Sequence, residues 1–107
     1  KGHLILDSGA LALSKDISAH DEHPEVGYGE VCHADTLEPF EGLYIGAVSQ
    51  EHGIVPVNNP DAFDRLPVGT QVRILPNHAC ITAAGYSHYE VLENGRITAQ
   101  WDRVNGW

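Results

Sequence analysis

Apolar and polar residues alternate along the chain in short runs, and Gly, Pro, Asn or Asp stand between the runs. A period of two predicts strands rather than helices. The pattern predicts strands at residues 3–7 (HLILD), 27–33 (GYGEVCH), 43–50 (LYIGAVSQ), 53–57 (GIVPV), 70–76 (TQVRILP), 86–92 (YSHYEVL) and 96–101 (RITAQW). Asn94-Gly95 offers the two positive-φ residues of a type I′ turn, so the last two strands read as a hairpin. Residues 58–69 (NNPDAFDRLPVG) read as a loop with one helical turn over 61–65, and Pro67-Val68-Gly69 turns the chain into the next strand. Residues 18–26 (SAHDEHPEV) read as an exposed polar loop. No repeat, low-complexity tract or linker interrupts the series. The expectation is therefore a single mostly β domain over residues 1–107, an antiparallel β-barrel or sandwich.

Length narrows the picture further. At 107 residues the chain can bury one core but cannot form a (β/α) barrel or a doubly wound dinucleotide fold. Lys1 to Leu6 is apolar and strand-like from its first residues, which reads as a segment of something longer. Six Lys and Arg against fifteen Asp and Glu give a formal charge of −9. That field repels phosphate backbones and anionic lipid, so neither nucleic acid nor a membrane surface is an expected partner. No apolar run approaches the ~20 residues of a membrane-spanning helix, and none reads as a signal peptide. The expected location is the cytoplasm. Cys32 and Cys80 are too few for a disulfide scaffold.

Within that frame the candidate chemistry lies in residues 76–80, Pro-Asn-His-Ala-Cys. Read as a strand end, this stretch points His78 and Cys80 to one side with Cα atoms roughly 6.5 to 7 Å apart. Imidazole nitrogen and thiolate sulfur together suit a borderline ion such as Zn²⁺, and the same spacing suits two core side chains. Two protein ligands would leave positions open for water or substrate, as a Lewis-acid site requires. Cys32, His33 and Asp35 in CHAD are further donors, but Cys32 and His33 face opposite sides of a strand, and Cys32 reads most simply as a small buried hydrophobe. His20 and His23 fall in the solvated loop. Glu51 and His52 before Gly53 could be an acid/base pair or support a metal ligand, with His52 the candidate for that outer role, or could simply form a bend. Lys1 is terminal and Lys15 precedes Asp16, the usual setting of a surface ion pair or a solvated turn. Neither resembles a Schiff-base lysine, which needs a dry enclosed site.

LDSGALALSKD (6–16), GYGEV (27–31), SQEHG (49–53), LPVGTQVRILPNHACITA (66–83) and ENGRITAQWDRVNGW (93–107) occur in an order that resembles the C-terminal domain of the D-serine dehydratase and D-threonine aldolase family. The resemblance spans almost the whole chain and is most specific at EHG followed by PNHAC. It implies fold-type III enzymes using pyridoxal 5′-phosphate, with an alanine-racemase-like N-terminal barrel that carries the cofactor's lysine and lies outside this chain. It implies that His78 and Cys80 hold a divalent ion beside the cofactor. D-threonine aldolases carry Asp in the second position and favour harder ions, so the Cys80 thiol points to zinc, although another divalent ion remains open. Leu11 stands where family members commonly carry Lys.

The resemblance leads to a metal-bearing β domain of a lyase that acts on a D-3-hydroxy amino acid, by β-elimination or by retro-aldol cleavage. Its expected partners are the pyridoxal phosphate-binding barrel and a second subunit in a homodimer, and the domain alone is expected to be inactive. The alternative is a non-catalytic β-rich dimerisation or docking module. A stand-alone metal enzyme using His33, His52, His78 and Cys80 is a third expectation.

Overall fold

The computed structural model describes residues 2–104. Lys1, and with it the first residue of the opening apolar run, lies outside the described residues, as do the last three residues of the 93–107 stretch, Asn105, Gly106 and Trp107. Among these residues eight strands form: β1 (Gly2–Leu6), β2 (Gly29–His33), β3 (Pro39–Tyr44), β4 (Ala47–Val48), β5 (Gly53–Val57), β6 (Val72–Pro76), β7 (His88–Glu93) and β8 (Arg96–Asp102). Three short α-helices, α1 (Ala10–Leu13), α2 (Asp61–Arg65) and α3 (Ala79–Ala84), and a 3-10 turn at Pro24–Val26 join them.

The strands pair antiparallel in three sheets, ordered β1-β5-β4, β3-β2-β6 and β7-β8. The mostly β, antiparallel expectation holds. Among the described residues the sheets stay separate and do not close into a barrel. The core lies where the first two sheets face each other. Alternation puts Gly53, Val55 and Val57 of β5 inward, and Val31, Phe40, Leu43 and Ile45 meet them from the other side. Leu13, Ala62 and Leu66 close the rim of this cluster. Burying a Val or Ile side chain is worth about 1.5–3 kcal/mol, so these few residues carry much of the fold. Pro56 is tolerated inside β5 for a specific reason. Gly46 N–H donates to Ile54 C=O, so Ile54 and Pro56 direct their backbone polar groups to the β4 side. There the pairing stops at Ala47↔Ile54, and no ladder bond is lost to the missing N–H.

Three elements differ from the sequence expectation. The run 43–50 is not one strand. Its chain leaves β3 at Tyr44 because Ile45 N–H turns to Gly29 C=O and Tyr28 N–H to Ile45 C=O, and the pairing resumes with β5 only at Ala47–Val48. Residues 10–13 and 79–84, unassigned by period, are helical. Each is shorter than two turns, too short for a 3.6 period to register. The hairpin and the helical turn at 61–65 form as expected. Asn94 (φ 50°) and Gly95 (φ 75°) make the turn, and Thr98 is the extra residue of a bulge between Val91↔Ala99 and Leu92↔Ile97.

Close backbone approach explains the glycine that opens α1. A Cβ at Gly9 would lie 2.4 Å from His52 N and 2.6 Å from Ser49 O. With no side chain there, Ala10 N–H reaches Ser49 C=O at 2.8 Å and Leu11 N–H reaches Gln50 C=O at 3.1 Å. The turn between β4 and β5 thereby holds the first residues of α1.

Candidate metal centre

β6 ends at Pro76, so the PNHAC stretch does not continue as a strand. His78 is the N-cap of α3 in extended backbone (φ −125°, ψ 97°), and Cys80 is the second residue of that helix. The expectation that the two share one face of a strand therefore fails. A proline at the strand end followed by Ala-Cys-Ile-Thr-Ala-Ala, with no β-ladder partner beyond Pro76, favours a helical turn over further extension.

What brings the pair into a defined setting is the packing of α3 on α1. Thr82 Oγ1 donates to Leu13 C=O at 2.8 Å, and Tyr86 Oη donates to Ala12 C=O at 3.1 Å. Thr82 N–H returns to the His78 carbonyl at 3.2 Å, fixing the first turn. The chain leaving α1 then carries Asp16 to His78. Asp16 Oδ2 accepts a hydrogen bond from His78 Nδ1, across 62 positions of sequence. Both side chains are partly exposed, 27% for Asp16 and 31% for His78. The His78 hydrogen bond is the main reason that the Asp16 carboxyl sits below the usual aspartate range. Asp16 thus pairs with His78 rather than with Lys15, and Lys15 is exposed, as the reading of this stretch as a surface pair or a solvated turn places it at the surface.

Asn77, the neighbour of His78, pins the same loop. Its Nδ2 donates to Gly27 C=O at 2.8 Å, and its Oδ1 accepts from Ala19 N–H at 3.2 Å. One amide side chain spans the two ends of the polar loop that follows Asp16. Its own N–H donates to Tyr28 C=O at 3.1 Å. Neither Asp16 nor Asn77 was singled out by spacing, because their partners are 50 to 62 residues away. An Asn between the strand-ending Pro76 and a His is the local feature that could have flagged the second.

The other candidates fall elsewhere. Cys32 is fully buried in β2, its Sγ 3.8 Å from Glu30 C=O. Burial, with the Glu30 charge adding to it, pushes the Cys32 thiol up. Cys32 is the core residue that its simplest reading expected. His33 stacks on Phe40 with ring centroids 3.7 Å apart. His20 is exposed and His23 is exposed against Glu25 at 3.1 Å, as the loop reading expects. His52 and Glu51 are exposed in the turn between β4 and β5. Among the described residues no three His, Cys, Asp or Glu side chains converge as a metal cluster, so the four-ligand enzyme built on His33, His52, His78 and Cys80 does not form.

The donor set fits a two-ligand ion site. Asp16 occupies His78 Nδ1, and no side-chain hydrogen bond engages Nε2 among the described residues. Cys80 is a free, exposed thiol. An imidazole with one nitrogen held by a carboxylate is the arrangement commonly found behind metal-bound histidines. Pyridoxal phosphate is a different matter. Among the described residues the one lysine, Lys15, is exposed, unlike the enclosed lysine a Schiff base needs.

The fold is that of the C-terminal domain of alanine-racemase-like enzymes. An alanine-racemase-like protein from Idiomarina loihiensis superposes with a TM-score of 0.85 at 42% identity, covering 100% of this chain and 28% of that one. Residues 1–92 match the family described as putative serine dehydratase domain, and the chain belongs to that family. It is 36% identical over 111 residues to D-threo-3-hydroxyaspartate dehydratase from Delftia sp. (strain HT23), covering 100% of this chain and 29% of the relative. It is 37% identical over 109 residues to D-serine dehydratase from Schizosaccharomyces pombe, covering 99% and 23%. The chain thus spans less than a third of the length of these relatives. D-threo-3-hydroxyaspartate dehydratase has also been solved as a Cys-to-Ala variant in the metal-free form and as a His-to-Ala variant. Both superpose with a TM-score of 0.87 at 35% identity, covering 100% of this chain and 29% or 28% of theirs. The two altered positions lie two residues apart in that enzyme, the spacing of His78 and Cys80.

Proposed function

We propose that this chain is the metal-bearing C-terminal domain of a pyridoxal phosphate-dependent dehydratase acting on a D-3-hydroxy amino acid, with His78 and Cys80 as its protein ligands. The observation that carries the reading is the Asp16 carboxylate on Nδ1 of His78, which leaves Nε2 without a side-chain hydrogen bond among the described residues, together with an exposed Cys80 two positions on in the first turn of α3. The likeness to D-threo-3-hydroxyaspartate and D-serine dehydratases supports elimination over aldol cleavage. A soft thiolate favours zinc among divalent ions.

The residues here divide the work with a portion of the enzyme outside the chain. A bound ion supplies Lewis acidity at the substrate's β-hydroxyl, and pyridoxal phosphate on an N-terminal barrel supplies the electron sink. His78 and Cys80 would hold the ion and supply only two of its ligands, so that it would be open to act as a Lewis acid. The bonds between α1 and α3 and those of Asn77 tie that segment to its neighbours. The β7–β8 hairpin adds a docking surface. Tyr89 and Trp101 pair across it on one face and stay 47% and 63% exposed, an apolar face suited to the barrel or to a second subunit.

The test is metal content and turnover in the full-length enzyme. His78→Ala and Cys80→Ala should each lose bound zinc and dehydratase activity together, with pyridoxal phosphate retained. Zinc content and rate unchanged in both variants would overturn the ligand assignment.

A further inference from the structure

The metal reading names two ligands and leaves open what makes a partly exposed histidine a defined one. A neutral imidazole carries its proton on either nitrogen, and only the other one has a lone pair for a metal. An ionised carboxylate accepts and never donates. With Asp16 Oδ2 against His78 Nδ1, the proton must therefore lie on Nδ1, and the lone pair falls on Nε2. The same hydrogen bond fixes the ring's rotation.

Asp16 is itself held in place. Ser14, the C-cap of α1, lies at φ 72° and turns the chain out of the helix. Its Oγ accepts from Asp16 N–H at 3.1 Å. α1 is tied at its start to the turn between β4 and β5 and along its length to α3. Asp16 therefore approaches the histidine from an element fastened to the helix that bears both candidate ligands.

We infer that Asp16 is a positioning residue for the metal centre, selecting the Nε2 face of His78 for the ion. The inference rests on the two-ligand reading above. It assigns Asp16 neither to the ion nor to the substrate.

Zinc affinity of the full-length enzyme tests it, measured by competition with a chromophoric chelator for the wild type, Asp16→Ala, Asp16→Asn, His78→Ala and Cys80→Ala. Asp16→Ala removes the acceptor and should weaken zinc binding roughly 10–100-fold. Asp16→Asn can still accept from Nδ1–H through its amide oxygen but lacks the charge, so it should fall between wild type and Asp16→Ala. It also serves where Asp16→Ala fails to fold. Cobalt(II) loading provides an independent signature: the sulfur-to-metal charge-transfer band from Cys80 should persist in Asp16→Asn. Wild-type zinc affinity in the Asp16 variants, with His78→Ala and Cys80→Ala stripped of metal, would overturn the positioning role alone. Metal retained by His78→Ala and Cys80→Ala would overturn the ligand reading, and the inference with it.

Discussion

Replacing Asn77 by alanine should release the polar loop that follows Asp16 while leaving the far hairpin untouched. The Asn77 side chain makes two bonds to backbone, one donated to Gly27 C=O at 2.8 Å and one accepted from Ala19 N–H at 3.2 Å. Each such bond contributes about 0.5–1.5 kcal/mol net. Their loss costs local stability about 1–3 kcal/mol, which at 1.4 kcal/mol per tenfold is roughly a 5- to 150-fold rise in the opening equilibrium. Amide hydrogen exchange read by mass spectrometry on peptides covering residues 14–28 should show that acceleration. Peptides from β7 and β8 should exchange as before, because none of the Asn77 bonds reaches them. Asn77→Asp separates the two bonds. Its carboxylate still accepts from Ala19 N–H, so exchange near residue 19 should stay close to wild type, while the loss of the donor to Gly27 shows at residues 27–28. Unchanged exchange across 14–28 in Asn77→Ala would refute the reasoning that this side chain holds the loop.

Two further outcomes follow from burial and exposure. Brief treatment of the native, metal-free protein with a maleimide should modify Cys80 and spare Cys32, since one thiol is exposed and the other is fully buried with its ionisation pushed up. Peptide mass spectrometry reads this directly, and equal labelling of both would contradict the core position of Cys32. In the full-length enzyme, Trp101→Glu should weaken assembly through the hairpin's apolar face, seen as a smaller sedimenting species or as barrel and β domain exchanging more freely with solvent. An unaltered sedimentation profile and unaltered exchange would show that this face is not a docking surface.

Much of the architecture was legible because strands announce themselves locally. A period of two, punctuated by turn residues, located the strand regions, and Asn94-Gly95 specified the hairpin turn through φ alone. The same logic misjudged 43–50, where alternation continues but the backbone partners change at Ile45. Partner choice depends on which strands lie alongside, and no period within one segment records it. The short helices α1 and α3 were invisible for a related reason. Segments this short are marginal on their own and are held by what they pack against.

The candidate centre divides along the same line. Its donors were evident in the chain, since a His and a Cys two residues apart limit what chemistry can be done, and the order of surrounding motifs pointed to the family. A shared strand face does not bring them together, because the chain bends into α3 at His78. By itself, then, the sequence determined the alternation, the turns, the charge and the ligand types, all properties of neighbouring residues. Only the tertiary structure decided that Asp16 meets His78, that Asn77 clamps the loop between them, and that Cys32 is core while Cys80 is free. Those facts depend on contacts between residues up to 62 positions apart, which exist only once the two sheets have packed and α1 has come to rest on α3.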